Sequence, residues 1–540
     1  MDSLAPNLSE MQRTPLHDDH VAALREIGEE RNYREGKIVA AAGSPMDRFI
    51  YILEGEIELI DPFTGEGFLP HHLGATQFMG EIAFLNGGKY TLAMRTRTDT
   101  QTLEVQRTEM LDLMTKIPEM SDIVISVFAG RRRRQIEANN SSLVLIGADV
   151  SAEVQRIAAF ASRNRIAFDS YDLGSDQAAD AASNCDLSKN GPAVIFGKDN
   201  VIDPPTPLKV AEELGLSLDI DPDEIFDLVI VGSGPAGVAA AVYAGSEGLN
   251  ALVVEDISIG GQAGTSSRIE NYMGFPTGIS GADLVWRGHI QAMKFGTKFA
   301  MPRRVTALEK NKDDLFCVTL DDEQIVCAKS VLVATGVQYR RLPLDRLEEL
   351  EGNGIYYAAP DMEARFCQGT DAVVIGGGNS AGQAAMFLSR FAKHVHLLVR
   401  GNSLAASMSA YLSRRLDADP KITIHYNTEV AALHGGERLE SITIKSPDEE
   451  KDIATSALFI MVGAAPNSGW LSGLAKTNEK GFVICGDAAC ADSPFATSHP
   501  GIFAVGDVRA DSVKRVASAV GEGSVVVSKI WEYVKAEEGA

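Results

Sequence analysis

Short, continuous apolar runs separated by glycine turns and helical patterns dominate the chain from about residue 225 onward. Residues 228–231 and 372–375 are two such runs. Continuous runs of this length are typical of strands that are buried on both faces of a parallel sheet. The pattern therefore predicts a multidomain α/β protein with two Rossmann-like, three-layer domains.

The residues before this region follow two other patterns. Over residues 15–134, short β-rich runs alternate with glycine turns and a helical pattern follows at 108–128, which predicts a β-roll with a helical end. Residues 142–218 read as β-α-β-β-α, which predicts a small α/β domain. We divide the chain into a β-roll (1–138), the small domain (139–220), a first Rossmann-like domain in two parts (221–342 and 466–540) and a second one inserted into it (343–465).

Composition narrows the function classes. The chain has 540 residues, 45% of them hydrophobic, which is enough for several separate cores. Its net charge of −24 argues against a nucleic-acid partner, because an acidic surface repels phosphate backbones. No stretch approaches the roughly 20 apolar residues that span a bilayer, and no leader pattern opens the chain, so we expect no membrane contact and a cytoplasmic location. Six scattered cysteines fit a reducing compartment without structural disulfides, and we predict no metal site.

The first glycine fingerprint is Gly232-Ser233-Gly234-Pro235-Ala236-Gly237, and the next apolar run, 251–254, ends at Glu255. In such a unit the backbone approaches a pyrophosphate, and the following helix points its N-terminus at the negative charge. The acid that ends the second strand accepts hydrogen bonds from a ribose hydroxyl and repels a 2′-phosphate. We expect FAD here, held by Gly232, Gly234, Pro235, Ala236, Gly237 and Glu255.

The second fingerprint repeats the first in register but ends in the opposite charge. Gly376-Gly377-Gly378-Asn379-Ser380-Ala381 follows an apolar run, and the next run, 395–399, ends at Arg400. A guanidinium at this position attracts a 2′-phosphate, although a single arginine at a strand end can also be a solvated surface residue. We expect NADPH here, held by Gly376, Gly378, Asn379, Ser380, Ala381 and Arg400.

Further segments resemble the thioredoxin reductase family of flavoproteins, and the resemblance covers about residues 226–534. Gly260-Gly261-Gln262 and Ile269-Glu270-Asn271-Tyr272 resemble the flavin-cradling loop of that family. Val333-Ala334-Thr335-Gly336 resembles the turn where its chain leaves the FAD half, residues 501–507 the strand that ends on the ribityl chain, and Lys514-Arg515-Val516-Ala517 the segment over the flavin pyrimidine ring. The resemblance implies an FAD- and NADPH-dependent oxidoreductase, usually a homodimer, with these further cofactor residues: Gly261, Gln262, Asn271, Ala334, Thr335, Gly336, Gly506, Asp507, Arg515, Val516 and Ala517.

The chain departs from the family where a redox dithiol is expected. The family frame places Ala358-Ala359-Pro360-Asp361 at the C-x-x-C position, and neither alanine nor aspartate can exchange with a disulfide. Cys367 follows as a single thiol, either buried or on the surface. Cys485 and Cys490 lack C-x-x-C spacing, although a redox role for them stays open. We therefore assign no catalytic side chain.

The β-roll resembles the cyclic nucleotide-binding domain, and residues 78–85 resemble its phosphate-binding cassette. In that family the cassette glutamate accepts a ribose hydroxyl, and an arginine pairs with the cyclic phosphate. Glu81 fills the first role, but Tyr90 stands where the arginine is expected. The loss of a bidentate guanidinium costs about 2–4 kcal/mol of phosphate binding, which argues against a bound cyclic nucleotide. We expect the domain to serve packing or dimerisation.

Residues 139–220 resemble a small thioredoxin or glutaredoxin fold that has also lost its dithiol. Gly147-Ala148-Asp149 follows the first strand without a cysteine, and Cys185 lies far along the chain. Pro192 stands where that fold places a cis-proline, so we expect a cis peptide bond before it.

Two basic segments allow more than one interpretation. The first is the arginine run at 131–134, which either binds phosphate groups or forms a solvated helix end near a linker. We favour the helix end. Residues 403–416 either line the pocket for the NADPH ribose phosphate or form a surface helix with a basic end.

The resulting hypothesis is an FAD-dependent NAD(P)H oxidoreductase that passes electrons from NADPH through FAD to an acceptor that the sequence does not identify. A ferredoxin or flavodoxin, a quinone, oxygen or a protein disulfide are candidate acceptors. Two alternatives stay open. One is a non-enzymatic redox or nucleotide sensor that signals through the N-terminal domain, and the other is a disulfide reductase that uses Cys485 and Cys490.

Overall fold

The computed structural model describes residues 14–538 apart from 61–64, 68–71, 91, 139–142, 165, 184, 186–190, 197–199, 215, 267–268, 270, 340–341, 351–352, 358, 360–363, 365–366, 406 and 437. Within these ranges the protein is mixed α/β, with two Rossmann-like parallel sheets in its C-terminal part and a β-roll in its N-terminal part. None of the helices in this part of the chain combines the length and the apolar composition needed to cross a lipid bilayer.

The β-roll consists of two antiparallel sheets with strand orders β1-β7-β3 and β2-β6-β4-β5. Four phenylalanine rings, Phe49, Phe78, Phe84 and Phe128, pack against one another between the sheets and the last helix. The elements are α1 (Asp18–Ile27), β1 (Glu29–Tyr33), β2 (Ile38–Ala40), β3 (Arg48–Glu54), β4 (Glu56–Leu59), β5 (Leu73–Gly74), α2 (Ala83–Asn86), β6 (Met94–Thr96), β7 (Thr100–Gln106), α3 (Arg107–Lys116) and α4 (Pro118–Ala138).

The helical end of the β-roll has two helices, and the second contains the arginine run. The helical pattern over 108–128 forms two helices, because Pro118 disfavours helical geometry at the residue before it. The arginine run lies within the last two turns of α4, which continues to Ala138. Arg131 is partly buried, and its guanidinium donates to the Gly80 carbonyl at 2.9 Å and lies 5.4 Å from the centre of the Phe78 ring.

The small domain has a four-stranded sheet of order β11-β10-β8-β9, in which β9 runs parallel to β8, and β10 runs antiparallel to both β8 and β11. Its topology is βαβαββα, which adds α6 and β11 to the predicted pattern. Its assignment to the thioredoxin fold stays a prediction. The elements are β8 (Leu143–Ile146), α5 (Ala152–Arg163), β9 (Asp169–Tyr171), α6 (Asp176–Ser183), β10 (Ala193–Phe196), β11 (Asn200–Val201) and α7 (Pro207–Glu213).

The predicted cis peptide bond before Pro192 is wrong. Among the described residues, cis bonds precede Pro204 and Pro302 but not Pro192. The trans form is the default for X-Pro bonds, and the isomer is decided by tertiary contacts that the sequence does not reveal. Pro192 nevertheless packs beside Gly147, where a side-chain Cβ would lie 3.3 Å from the proline Cα.

The first Rossmann-like domain begins with a parallel core, β14-β13-β12-β17, which β16 and β15 extend in antiparallel fashion. Its apolar strands are buried on both faces, as their continuous hydrophobic runs predict. The elements are β12 (Ile225–Val231), α8 (Pro235–Ser246), β13 (Ala251–Val254), α9 (Gly261–Gly264), α10 (Gly281–Lys294), β14 (Lys298–Ala300), β15 (Val305–Lys310), β16 (Phe316–Leu320) and β17 (Ile325–Val333).

The second Rossmann-like domain lies between two connecting strands, β18 and β27, that pair antiparallel with each other. Its parallel sheet has the order β19-β26-β20-β21-β22, and a three-stranded meander, β23-β24-β25, accompanies it. The elements are β18 (Val337–Tyr339), α11 (Leu347–Leu350), β19 (Ile355–Tyr356), β20 (Asp371–Ile375), α12 (Asn379–Leu388), β21 (His394–Val399), α13 (Ala410–Ala418), β22 (Ile422–Tyr426), β23 (Glu429–His434), β24 (Ser441–Lys445), β25 (Glu450–Ala454), β26 (Ala457–Ile460) and β27 (Ala464–Pro466).

The chain then returns to the first domain, where β28 (Ile502–Ala504) pairs in parallel with β17. Short 3₁₀ turns at Gly469–Leu471, Gly486–Ala489 and Gly506–Val508 precede the last helix, α14 (Val516–Glu538). One continuous apolar cluster joins the core of the β-roll to the helical layer of this domain, with Phe49 and Phe299 among its members.

The expectation of a chain without disulfides is wrong. Cys317 of β16 and Cys327 of β17 are directly opposite each other in the antiparallel ladder and form a disulfide, with their Cα atoms 4.1 Å apart. The remaining cysteines among the described residues are Cys185, Cys367, Cys485 and Cys490, which are free thiols. The sequence could not predict the bond because it depends on the register of two strands.

Candidate cofactor sites

The first glycine fingerprint forms a tight turn between β12 and α8. Gly232 has φ +99°, and a Cβ on it would lie 2.5 Å from the Ala334 carbonyl oxygen, so a side chain is excluded by both strain and space. Gly234 is the N-cap of α8, and a Cβ there would have no atom within 4 Å. Open space at a helix N-terminus is the environment that a pyrophosphate requires.

Glu255 follows β13 directly, and its carboxylate is held by four donors. Oε2 accepts hydrogen bonds from the Ser233 backbone nitrogen at 2.8 Å and from the Ser233 hydroxyl at 2.7 Å. Oε1 accepts from the backbone nitrogens of Ile257 at 3.1 Å and Ser258 at 3.4 Å. The carboxylate therefore lies at the mouth of the glycine turn, and its orientation is fixed.

The loop after this acid brings two further glycines to the same turn. Gly260 and Gly261 have φ of +112° and +52°, and a Cβ on Gly261 would lie 3.2 Å from the Gly234 Cα. The Gln262 amide donates to the Val337 carbonyl at 2.6 Å, which ties the loop to the start of the connecting strand β18. Asn271, which is also predicted to lie near the flavin, is exposed.

The turn at the end of β17 adjoins the first fingerprint. Ala334 and Thr335 provide the atoms closest to the Gly232 turn, and the Thr335 hydroxyl donates to the Asn467 carbonyl at 2.6 Å. Gly336 has φ +59°, so it adopts the left-handed conformation where the chain leaves the domain. The structure thus brings this predicted segment and the glycine turn together.

The strand predicted over 501–507 is shorter than expected, because β28 ends at Ala504 and Gly506 and Asp507 lie in a 3₁₀ turn after it. Burial raises the pKa of the Asp507 carboxyl, although the nearby Lys514 opposes this shift. Lys514 itself lies 5.0 Å from the centre of the Phe482 ring. Arg515 is exposed, while Val516 and Ala517 begin α14, so that a helix N-terminus follows the turn.

The sequence pattern did not identify Glu522, whose carboxylate binds the turn at Gly506 and the side chain of Arg509. Its carboxylate accepts from the Gly506 nitrogen at 2.6 Å and pairs with Arg509 at 2.7 Å. Gly523, the next residue, has no room for a side chain because a Cβ would clash with the Ala236 carbonyl of α8. An acid between two glycines inside a helix, Gly521-Glu522-Gly523, was the available signal.

The second fingerprint repeats this geometry between β20 and α12. Gly376 has φ +144°, and a Cβ there would clash with the Met461 carbonyl. Gly378 is the N-cap of α12, whose first turn carries Asn379, Ser380 and the buried Ala381. Arg400 follows β21 directly and is exposed.

The segment with two open interpretations divides into a loop and a helix. The loop over 403–409 contacts the glycine turn, since the Ser407 hydroxyl donates to the Gly377 carbonyl at 2.7 Å and the Ser409 nitrogen donates to the Asn379 side chain at 2.8 Å. The basic residues Arg414 and Arg415 belong to α13. Ser407 and Ser409 are therefore further candidate site residues, and both belong to the segment that the sequence analysis considered for the pocket.

The free cysteines among the described residues include Cys367 and Cys485, whose thiols have raised pKa values. Cys367 is fully buried, and its burial raises the thiol pKa to about 12. Burial also raises the pKa of Cys485 to about 12, so at neutral pH it is not a thiolate. Positions 358 and 360–361, where the family dithiol is expected, lie outside the described residues.

Residues 226–523 match the model of the pyridine nucleotide-disulphide oxidoreductases. The chain belongs to this family. Residues 30–116 match the cyclic nucleotide-binding domain, which accounts for the β-roll. Like its relatives, this oxidoreductase is an enzyme that uses FAD and NADPH.

Its similar proteins include thioredoxin reductases. The one from Streptomyces clavuligerus is 34% identical over 316 residues, which cover 58% of this chain and 95% of that protein. NADPH-dependent thioredoxin reductase 3 from Arabidopsis thaliana is 34% identical over 319 residues, which cover 57% of this chain and 58% of that protein. The crystal structure of Lactococcus lactis thioredoxin reductase in its FR conformation has 30% identity and a TM-score of 0.53, and the match covers 57% of this chain and 99% of that one.

Proposed function

We propose that this oxidoreductase takes hydride from NADPH onto FAD and delivers the electrons to an acceptor outside the chain, without an active-site dithiol of its own. The observation that carries the proposal is the inventory of cysteines. The segment expected to hold the dithiol reads Ala358-Ala359-Pro360-Asp361, and the sequence offers no thiol there. Disulfide exchange requires a thiolate and a resolving partner, which alanine, proline and aspartate cannot supply.

The Cys317–Cys327 disulfide does not replace the missing pair. In the parallel pairing of β17 with β12, Cys327 is the partner of Ile225 at the start of β12. Val333 is the partner of Val231, beside the glycine turn. Six residues of extended chain separate these levels by roughly 20 Å. The disulfide therefore lies towards the end of the sheet opposite the candidate FAD site, too far for direct exchange with a flavin.

The residues of the two glycine turns fit the two cofactors. We assign FAD to the turn at Gly232 and Gly234, with Glu255 at the adenosine ribose, and NADPH to the turn at Gly376 and Gly378, with Arg400 at the 2′-phosphate. Bound FAD supplies the hydride-accepting chemistry, and the protein supplies position and charge. The four donors to Glu255 fill about four lone-pair sites, so we infer that a ribose hydroxyl takes the place of the Ser233 hydroxyl.

Paired assays on the full-length protein test this function. We expect NADPH to bleach the flavin within seconds in stopped flow and ferricyanide to support steady turnover, while an insulin-coupled thioredoxin assay stays at background. Thioredoxin turnover that disappears in a Cys485→Ser/Cys490→Ser variant would instead establish the disulfide reductase that uses these cysteines. Flavin reduction that takes minutes, with no catalytic re-oxidation, would favour the sensor alternative.

The β-roll contributes a separate expectation about partners. Tyr90, which replaces the phosphate-binding arginine, is 5% exposed, and burial raises its pKa to about 12. Arg131 donates to the Gly80 carbonyl inside the cassette, and burial lowers its pKa to about 10 although the charge of Glu81 opposes this shift. We propose that this cassette is occupied by the chain's own side chains and does not bind a cyclic phosphate. Cyclic AMP at millimolar concentration should then leave both the melting temperature and NADPH turnover unchanged.

A further inference from the structure

One side chain of the β-roll, Asn86, pairs with the FAD sheet as a neighbouring strand would. Asn86, the last residue of α2, donates from its amide nitrogen to the Phe299 carbonyl at 3.0 Å and accepts from the Phe299 nitrogen at 2.9 Å. Phe299 lies in β14, the edge strand of that sheet. The main-chain groups on the outer side of an edge strand lack a strand partner, so the asparagine completes the pairing of this strand.

The edge strand in turn holds the backbone of the ribose acid. Ala300, the residue after Phe299, accepts a hydrogen bond from the Glu255 nitrogen at 3.0 Å. The Glu255 carbonyl accepts from the Arg303 nitrogen at 2.8 Å, just beyond the strand. Both backbone groups of Glu255 are thus fixed by residues 300–303, and Asn86 anchors the strand that leads into them.

A second asparagine reaches the other side of the same acid from the small domain. Asn164, the C-cap of α5, donates from its amide to the Phe160 carbonyl at 2.9 Å and to the Ile257 carbonyl at 3.0 Å. The Ile257 nitrogen donates to the Glu255 carboxylate at 3.1 Å. The β-roll therefore contacts Phe299, the residue before a hydrogen-bonding partner of Glu255. The small domain contacts Ile257, which is itself a hydrogen-bonding partner of Glu255.

We propose that Asn86 and Asn164 are positioning residues for the Glu255 carboxylate, so that the N-terminal 220 residues complete the binding site for the adenosine half of FAD. This inference rests on the proposed assignment of Glu255 to the FAD ribose. Its consequence is that the β-roll and the small domain control the retention of FAD, while the NADPH site in the inserted domain is independent of them.

The test compares FAD release from full-length holoenzyme variants, measured as the free FAD that passes an ultrafiltration membrane over a dilution series. Asn86→Ala should raise the dissociation constant for FAD about fivefold to tenfold, since it removes two hydrogen bonds, and Asn164→Ala should raise it about threefold. The KM for NADPH should stay within twofold in both variants. Loss of FAD retention with an unchanged KM separates positioning from a general loss of folding.

Asp122→Asn is the matched control. Asp122 of α4 forms another contact between the β-roll and the FAD domain, 3.0 Å from Lys294, but this contact involves α10 and not β14. We expect this variant to retain FAD like the unmodified protein. An equal loss of FAD in Asp122→Asn would overturn the inference, because loosened docking alone would then explain the effect. If Asn86→Ala does not fold, Asn86→Asp takes its place in the experiment, because this variant keeps the acceptor for the Phe299 nitrogen.

A double-mutant cycle with Glu255→Gln completes the test. If Asn86 acts through Glu255, then Asn86→Ala should change FAD affinity less than twofold in the Glu255→Gln background. An undiminished effect there would overturn the inference and leave the ribose assignment intact. If Glu255→Gln alone leaves FAD affinity unchanged, the ribose assignment itself is wrong and the inference fails with it.

Discussion

The backbone nitrogen and the hydroxyl of Ser233 both donate to the same carboxylate oxygen of Glu255, at 2.8 and 2.7 Å. The first glycine turn and the acid that ends the neighbouring strand are thereby joined in one hydrogen-bonded unit. Such a unit fixes the carboxylate before a ligand arrives, which lowers the ordering cost of binding.

The two residues of this unit should respond differently to substitution. Ser233→Ala should leave the dissociation constant for FAD within about twofold, because the backbone nitrogen still holds the carboxylate and the freed lone pair accepts a ribose hydroxyl. Glu255→Gln should raise it about tenfold or more, since charge-assisted hydrogen bonds become neutral ones. FAD titration monitored by flavin fluorescence measures both values. Equal losses in the two variants would contradict the exchange of hydroxyls.

Arg400 should determine the preference for NADPH over NADH. Arg400→Gln removes the charge expected at the 2′-phosphate, so the KM for NADPH should rise about tenfold to a hundredfold while that for NADH changes less than twofold. Arg390→Gln serves as the control, because Arg390 is an exposed arginine of the same domain that does not follow a glycine-turn strand. Stopped-flow flavin reduction with each nucleotide gives the comparison. A similar change for both nucleotides would show that Arg400 is only a surface residue.

The Cys317–Cys327 disulfide should stabilise the protein without affecting turnover. Six cysteines less the two in this bond leave four thiols, so Ellman's reagent should titrate four thiols in the denatured, unreduced protein and six after reduction. A loop of this size, with a sequence separation of 10, corresponds to about 2–3 kcal/mol of unfolding free energy.

Loss of the disulfide in the Cys317→Ser/Cys327→Ser variant should therefore lower the urea midpoint of unfolding, while dye reduction by NADPH stays unchanged. Chemical denaturation and steady-state kinetics on the same preparation measure the two effects. Loss of turnover in this variant would show that the disulfide takes part in catalysis after all.

Two adjacent histidines of the inserted domain, His396 and His425, should make its stability depend on pH. His396 Nδ1 lies 3.0 Å from His425 Nε2 and the Asp371 carboxylate lies 3.5 Å from His396 Nε2, while His394, Lys451 and Glu449 also face this row. Burial lowers the pKa of His396, and burial together with its basic neighbours lowers that of His425 to about 4.

The sign of the effect follows from proton uptake. Below pH 6.5 these two histidines bind more protons in the unfolded chain than in the folded one. Their contribution to the free energy of unfolding is therefore fully present above this pH and falls as the pH drops towards 4. His425→Asn should reduce this loss by no more than about 1 kcal/mol, because the ring is only half buried. Urea unfolding at pH 7.5 and 5.0 provides the measurement. Identical pH dependence in both proteins would exclude His425 as the titrating group.

The sequence by itself determined the two glycine turns and the residues that end the neighbouring strands. Gly232, Glu255, Gly376 and Arg400 stand where the pattern predicts them, because a nucleotide-binding unit is encoded within about 30 consecutive residues whose spacing follows from strand and helix geometry. The β-roll was predictable for a similar reason, since alternating runs and glycine turns are local signals.

Only the tertiary structure decided the contacts between distant segments. The pairing of Cys317 with Cys327 depends on strand register, and the insertion of Arg131 at Gly80 depends on how a helix packs against the cassette. Asn86 and Phe299 are 213 positions apart, and no periodicity links them. Such contacts come from the packing of whole domains, whose surfaces are formed only after each domain has folded, and so a pattern read along the chain does not contain them.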